Sequence, residues 1–215
     1  MILGKQGAGK GTQCARLARH YVVPHISTGD MLRAAARSQS EFGRKAKDFM
    51  DAGELVPDDV MIGLVRERLD YEDTSSRGFI LDGFPRTDGQ AQALAVFLGD
   101  ERALDLAIDI ELPTEAALKR LASRRVCNVC GAIYSSDQPP HLNWTCDFCG
   151  GEVVQREDDQ PDAIRRRLDL YEEQTAPLIA WYLERDHLVT VDGMGHPDDV
   201  FHRLVRAIDN RRLHR

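Results

Sequence analysis

Apolar and polar positions change rhythm along the chain in a regular way. Three apolar residues, Met1-Ile2-Leu3, run straight into Gly4-Lys5-Gln6-Gly7-Ala8-Gly9-Lys10-Gly11-Thr12. A helical run over 13–21 follows, with Cys14, Leu17, Ala18 and Tyr21 on its inner face. Residues 22–26 are apolar enough for a short strand, and helices are expected over 30–37, 41–50 and 57–71, Gly53 stopping the second. Phe79-Ile80-Leu81-Asp82 is a continuous apolar run closed by a carboxylate, the pattern of a buried parallel strand. Thr87 can cap a helix over 88–98, residues 105–112 alternate as a strand, and Pro113-Thr114 opens a helix to about 124. Helical periodicity then fades over 126–159. A long helix starts at Pro161 and should be kinked or divided at Pro177. The last strand covers 188–191 and a closing helix 197–212, with Leu213-His214-Arg215 as a frayed end. Strands alternating with helices predict an α/β fold: a five-stranded parallel sheet covered by helices on both faces.

The glycine-rich stretch is the first candidate for chemistry. Strand, glycine loop and helix in that order let successive backbone N–H groups curl around an anion, and the helix N-terminus adds unpaired donors. Lys10 is spaced to reach the outer phosphates of a nucleotide. The strict phosphate-loop pattern has Ser or Thr directly after the lysine; here Gly11 intervenes and Thr12 carries the hydroxyl. An ordinary glycine-rich turn is the plain alternative. Ser27-Thr28-Gly29-Asp30 has the form of a helix start, with Arg33 just inside it. Asp82 and the turn Gly83-Phe84-Pro85-Arg86 fall at the C-terminal end of a strand, where ligands of open α/β sheets collect.

Composition narrows the partners. A net charge of −7 over 215 residues argues against a large basic nucleic-acid face. No apolar run is long enough to cross a bilayer and no leader pattern precedes the loop, so a cytoplasmic protein without a membrane partner is expected. Lysines are confined to 5, 10, 45, 47 and 119, so arginine supplies most of the positive charge, and its planar fork suits phosphate oxygens.

Together, the glycine loop, Ser27-Thr28-Gly29-Asp30-Met31-Leu32-Arg33 and Leu81-Asp82-Gly83-Phe84-Pro85-Arg86 resemble adenylate kinase in residues, order and spacing. Gln90, Arg120, Arg124, Arg156-Glu157-Asp158-Asp159 and Tyr171…Thr175-Ala176-Pro177-Leu178 extend the resemblance over nearly the whole chain, towards the form with a long, zinc-binding lid. The loop departs from the family in reading Lys5-Gln6 where a small residue and proline are usual. The resemblance implies reversible transfer of the terminal phosphoryl group of ATP to AMP, giving two ADP and serving purine nucleotide balance. It implies a core of 1–26, 57–124 and 160–215, an AMP-binding insertion of 27–56 and a lid of 125–159. Gly7, Ala8, Gly9, Lys10, Gly11 and Thr12 would hold the ATP phosphates. Arg120, Arg124, Arg156 and Arg167 would close over them from the lid side. Arg33 and Arg86 would clamp the AMP phosphate, with Arg156 and Arg167 reaching the same pocket. Thr28 and Gln90 would meet the AMP base, and Glu54, Leu55, Val56, Gly83, Phe84 and Pro85 would line its pocket. Asp82, with Asp158 and Asp159, would orient Mg²⁺ through water or fix arginines. Ile133 and Tyr134 would touch ATP, and the region of Gly195 would meet its adenine. Lys10, Asp82, Arg86, Arg124, Arg156 and Arg167 are the expected catalytic set. Arg165 and Arg166 are expected to be solvated helix faces.

The chain also carries Cys127-x2-Cys130-x15-Cys146-x2-Cys149, each pair followed by glycine. Two such knuckles supply four thiolates to one tetrahedral ion. Zinc is expected, though a single iron is held by the same pattern. With four sulfurs available, His141 between the knuckles is not needed as a ligand. Other acceptor bases (UMP/CMP or GMP) and a zinc-ribbon nucleic-acid-binding ATPase are the competing readings. A monomer acting on ATP, AMP and ADP, and not on nucleic acid, is the expectation carried forward.

Overall fold

The computed structural model describes residues 1–38, 41–100 and 103–213. The first strand, β1 (Ile2–Leu3), is followed by the glycine loop and α1 (Lys10–Tyr21). Gly9, at φ 92°, turns the chain into α1 with no side-chain cap, so the helix begins at Lys10, earlier than periodicity suggests. Its free N-terminal amides therefore stay available to an anion. Strand β2 (His25–Ser27) is shorter and later than expected, because Val22 closes α1 in the left-handed conformation at φ 55° and is 69 % exposed. Of the predicted inner face of α1, Cys14 and Leu17 are buried and are joined by Gln13, while Ala18 and Tyr21 are only half-buried.

Ser27 caps α2 (Thr28–Arg37), its hydroxyl accepting from Asp30 N at 3.2 Å. Then come α3 (Glu41–Asp51) and α4 (Asp58–Leu69). The helix expected to reach residue 71 instead breaks, and a separate α5 (Glu72–Arg77) follows. The Thr74 hydroxyl sits in that break, within reach of Leu69 O at 3.1 Å and Tyr71 O at 2.6 Å. Strand β3 (Ile80–Asp82) leads to α6 (Asp88–Leu98), capped by Thr87 as expected. Next are β4 (Ala107–Glu111) and α7 (Thr114–Ser123).

Residues 124–154 fold as a small antiparallel sheet of β5 (Arg124–Cys127), β6 (Ile133–Ser135) and β7 (Val153–Val154), in the order β6-β5-β7. These strands are too short to leave a period in the sequence. A 3-10 turn over Glu157–Asp159 returns the chain to α8 (Pro161–Leu170). The division expected at Pro177 takes the form of a π-helical segment, Tyr171–Thr175, between α8 and α9 (Pro177–Leu183). Strand β8 (Leu188–Asp192) and α10 (Pro197–Leu213) complete the fold. Leu213 is thus the last helical residue, while His214 and Arg215 of the expected frayed end lie outside the described residues.

The main sheet is parallel throughout, in the order β2-β3-β1-β4-β8. This is the predicted five-stranded α/β architecture. One core, with Ile26, Leu81, Phe84 and Leu94, lies on one face. A second, with Cys14, Leu17, Ile108, Ile110, Leu121 and Leu204, lies on the other. Fully burying one such side chain contributes about 1.5–3 kcal/mol. Register brings Ile2 and Ser27 level with Asp82, so β1, β2 and β3 end together beneath the glycine loop. Gly4, at φ 132°, lets the chain leave β1 while passing close to β4; a Cβ there would lie 2.7 Å from Ile110 O.

Candidate active site and four-cysteine centre

Lys10 opens α1 and turns back over the glycine loop, its Nζ donating to Gly4 O at 2.5 Å and Lys5 O at 2.8 Å. Burial pushes its pKa down to about 8; Asp82 works against that fall, and Arg86 and Arg167 add to it. Asp82 closes β3 as a buried carboxylate, with His25 Nε2 3.2 Å from its Oδ2. Gly11 lies directly against it: a Cβ at that position would meet Asp82 Oδ2 at 3.5 Å.

Next to the loop is a pocket lined in part by Gln6, Thr28, Arg33, Arg86, Asp158 and Arg167. Arg86 is fixed on three sides: its Nε donates to Gly83 O at 2.8 Å, its N–H to Gln90 Oε1 at 2.8 Å, and its carbonyl accepts from Thr175 Oγ1 at 2.9 Å. Burial, then the neighbouring charge of Arg167, lowers the Arg86 pKa to about 10. Arg167 binds Asp158 O at 2.9 Å, Asp158 Oδ2 at 3.0 Å and Asp159 Oδ1 at 3.3 Å. Arg124 forks onto Asp159, with Nε to Oδ2 at 2.7 Å and an Nη to Oδ1 at 2.5 Å. Burial, then Arg33 and Arg124, lowers Arg156 to about 10, and its buried Nε has no hydrogen-bond partner among the described residues. Burial tends to raise the Asp158 carboxyl, but Arg167, Arg156 and Arg124 together hold it below its ordinary value. Asp30 holds Arg33 at 2.6 Å.

The lining mixes buried polar and apolar side chains. Thr28 is buried and donates to Gly83 O at 3.0 Å, while Leu55, Val56 and Met61 give an apolar wall. Gln90 is committed at both ends of its amide, since Nε2 also donates to Asp58 Oδ1 at 2.7 Å and Thr87 Oγ1 donates to Asp58 Oδ2 at 2.7 Å. Asp58 escaped sequence reasoning because it reads as a plain acidic first turn of α4. Gln6, Thr175 and Tyr171 were also missed as lining residues, and Gln6 Oε1 is buried without a partner. The Glu54 carboxylate turns outward to Arg166 at 2.7 Å and Arg165 pairs with Asp162 at 3.5 Å, and both arginines are exposed on the helix face as expected. The ammonium of Lys47, on α3, is shared between Asp51 and Glu157 of the 3-10 turn.

Other expected residues lie outside this pocket. Arg120 ties Gly7 O at 3.4 Å to Gly193 O at 3.1 Å, bridging the glycine loop to the end of β8. Gly195 follows in the same segment at φ 97°. Ile133 is on β6 with an exposed side chain. Tyr134 points its hydroxyl at Cys146 Sγ, 3.4 Å away, and accepts from Asp147 N at 2.9 Å. It packs on the cysteine cluster, and neither residue lines the pocket.

The four cysteine Sγ atoms lie within 4.8 Å of one another, with Cys127–Cys149 and Cys130–Cys146 both at 3.5 Å. Sulfurs bound tetrahedrally at ~2.3 Å from one ion are separated by about 3.8 Å, so the donor set fits a closed site. The N–H groups of Val129 and Cys130 point at Cys127 Sγ, at 3.4 and 3.5 Å, as a thiolate needs. His141 is 91 % exposed and turns to Asp147, outside the donor set as expected.

A family model described as adenylate kinase matches residues 2–187. A curated adenylate kinase of Thermodesulfovibrio yellowstonii is 45 % identical over 213 residues, covering 98 % of this chain and 99 % of that one. One from Methanosarcina barkeri is 46 % identical over 210 residues, 97 % of each chain. One from Bacillus pumilus is 47 % identical over 203 residues, 94 % of this chain and 93 % of its own.

The Asp159 carboxylate, fully buried between Arg124 and Arg167, generates a stability prediction. Asp159→Ala removes the carboxylate that Arg124 forks onto, while Arg167 keeps Asp158, and should cost about 3–5 kcal/mol in urea unfolding. Arg124→Ala in the Asp159→Ala background should cost less than the sum of the two single losses.

Proposed function

The chain belongs to the adenylate kinase family and is an ATP:AMP phosphotransferase, and we propose that the pocket between the glycine loop and the arginine cluster is where ATP and AMP meet. The observation that carries this assignment is the convergence of Arg33, Arg86 and Arg167 on one cavity beside Lys10 and Asp82. Phosphoryl transfer needs donor and acceptor in line and positive charge around the moving group, with little covalent work from the protein.

Gly7, Ala8, Gly9, Gly11 and Thr12 hold the ATP phosphates through backbone N–H groups and the helix end. Lys10 exchanges its carbonyl partners for phosphate oxygens. Arg86 and Arg33 clamp the AMP phosphate, and the fixed Nε of Arg86 leaves its terminal nitrogens for the ligand. Arg124, Arg156 and Arg167 gather over the transferring group. Asp158 and Asp159 hold them in place, so less reorganisation is needed during transfer. Thr28, the backbone of Glu54, Leu55 and Val56, and the Gly83-Phe84-Pro85 turn enclose the AMP base, and Gln90 supports Arg86 from below. Arg120 and Gly195 face the ATP base, with Ile133 and Tyr134 on the lid that closes over it.

Adenylate kinases use Mg²⁺ with ATP; Asp82, a carboxylate against Gly11 at the loop, fits the role of holding its water shell. The ion would neutralise phosphate charge and orient the terminal group. The moving parts follow the core of 1–26, 57–124 and 160–215, the AMP insertion of 27–56 and the lid of 125–159. Closure of the lid excludes water, the competing nucleophile. The cysteine cluster is compatible with a structural metal; we assign it zinc, which with no open position braces the lid and takes no part in transfer. Among the described residues no helix is long and apolar enough to cross a membrane. A cytoplasmic monomer without nucleic-acid partners is the assembly proposed.

Assaying ADP formation from ATP with AMP, GMP, UMP and CMP should give AMP as the preferred acceptor. Lys10→Ala should lower kcat by about 10²–10³-fold. Comparable rates with UMP or CMP would reassign the acceptor base.

Lys10 also sets a pH dependence. Its lowered pKa makes the buried ammonium unfavourable to folding below about pH 8, a penalty that fades as pH rises towards its ordinary 10.5. Binding runs the other way, because phosphate favours the ammonium. ATP affinity should fall as pH rises through about 8, with proton uptake on binding. Calorimetry in buffers of different ionisation enthalpy should detect that uptake, and Lys10→Ala should abolish it.

Removing the metal with a chelator should lower the melting temperature and speed hydrogen exchange in 125–159. A lid whose exchange is unchanged without metal would remove the bracing role.

A further inference from the structure

Behind the glycine loop, Asp82 lies beside two further metal-binding side chains, Cys14 and His25, to which phosphoryl transfer gives no role. Strands β2 and β3 are parallel, with His25 level with Ile80 and Ser27 level with Asp82. Side chains two apart share a face, so His25 and Asp82 project to the same side of the sheet. On that side the second turn of α1 presents Cys14, which is completely buried. The Cys14 Sγ, a His25 ring nitrogen and an Asp82 carboxylate oxygen lie within 4.8 Å of one another, and His25 Nε2 is 3.2 Å from Asp82 Oδ2.

We propose that Cys14, His25 and Asp82 form a second, inhibitory metal site that takes zinc and rejects magnesium. Sulfur, nitrogen and oxygen donors from three residues, with a fourth position open, make the donor set of a non-structural zinc site. Bound to one ion at ~2.0–2.3 Å, such donors are separated by roughly 3.3–3.8 Å, so closing the trio needs shifts of about 1 Å or less. A thiolate does not suit the harder Mg²⁺, which prefers oxygen donors and retains its waters. Entry is from the nucleotide side, where the His25 and Asp82 side chains keep 19 % and 10 % of their surface. The incoming ion takes the place of the Cys14 thiol proton, which is released to solvent. ATP bound over the loop would cover that entry, so the site fills before ATP binds and does so against the neighbouring charge of Lys10. A zinc ion there holds the Asp82 carboxylate and denies it to the magnesium water shell. That inhibitory consequence rests on the role assigned to Asp82 above; occupancy of the site does not.

The test begins with protein carrying one zinc in its cysteine centre, dialysed against buffered free Zn²⁺ without nucleotide. Bound metal is then measured directly. Two ions per chain are expected for the wild type, and one for Cys14→Ala and for His25→Gln. In the forward assay, Cys14→Ala should keep its basal turnover and resist zinc by at least roughly ten-fold in half-inhibitory concentration. Running both proteins at the same ATP concentration cancels the zinc that ATP itself chelates. A single ion in the wild type overturns the site without any variant, as does a second ion that persists in Cys14→Ala. A second ion that depends on Cys14 but leaves turnover unchanged upholds the site and overturns the magnesium role of Asp82.

Discussion

Repulsion among like charges held away from water is the constraint around which the site is built. Arg33, Arg86 and Arg167 line one pocket, Arg124 and Arg156 couple to them electrostatically, and burial weakens the hold of several of these cations on their protons. Asp158 and Asp159 offset part of that cost, and Asp159 does so while fully buried. They do not cancel it: the Nε of Arg156 remains without a hydrogen-bond partner among the described residues. The cluster thus carries an unfavourable electrostatic arrangement, which on the proposed reading phosphate oxygens would relieve. Binding and catalysis draw on the same imbalance, since the transferring group needs the most positive charge when its own charge is most spread.

The scaffold can hold this arrangement because its most rigid parts lie beneath it. Strands β1, β2 and β3 end at one level, and Gly4 allows the loop to leave the sheet tight against β4. The arginines come instead from α2, the turn after β3, β5, the link between β7 and the 3-10 turn, and α8. Helices, turns and the small antiparallel sheet supply the charges, and the parallel sheet supplies the floor beneath them. Asp159, immediately before α8, holds Arg124 at the start of β5, so one carboxylate joins both strands of the lid's hinge.

Much of this was legible in the sequence, for reasons that differ by element. The five parallel strands and the helix caps at Ser27 and Thr87 followed from apolar runs and local hydrogen-bonding chemistry. Cysteine spacing foretold a cluster, because two-residue gaps have few other uses. What failed did so where long-range packing decides. Residues 22–26 have strand-like composition, but α1 needs Val22 to turn the chain. The helix through residue 71 has no sequence break, and the Thr74 hydroxyl that fills it acts only in the folded backbone. Periodicity could not reveal that Gln90 spends its amide on Arg86 and Asp58, or that Tyr134 faces sulfur. Asp58 and Cys146 are distant in the chain, and the Arg86 contact depends on the turn that precedes α6.

The shared ammonium of Lys47 has a further consequence. It spans from the insertion, at Asp51, to Glu157 at the foot of the lid, and all three side chains face solvent. Attraction between such groups fades over a Debye length of about 8 Å at physiological ionic strength. This clasp ties α3 to the 3-10 turn across the surface, whereas the buried carboxylate between Arg124 and Arg167 is largely sheltered from dissolved ions. Ambient electrolyte therefore slackens the outer tie while leaving the inner grip almost untouched.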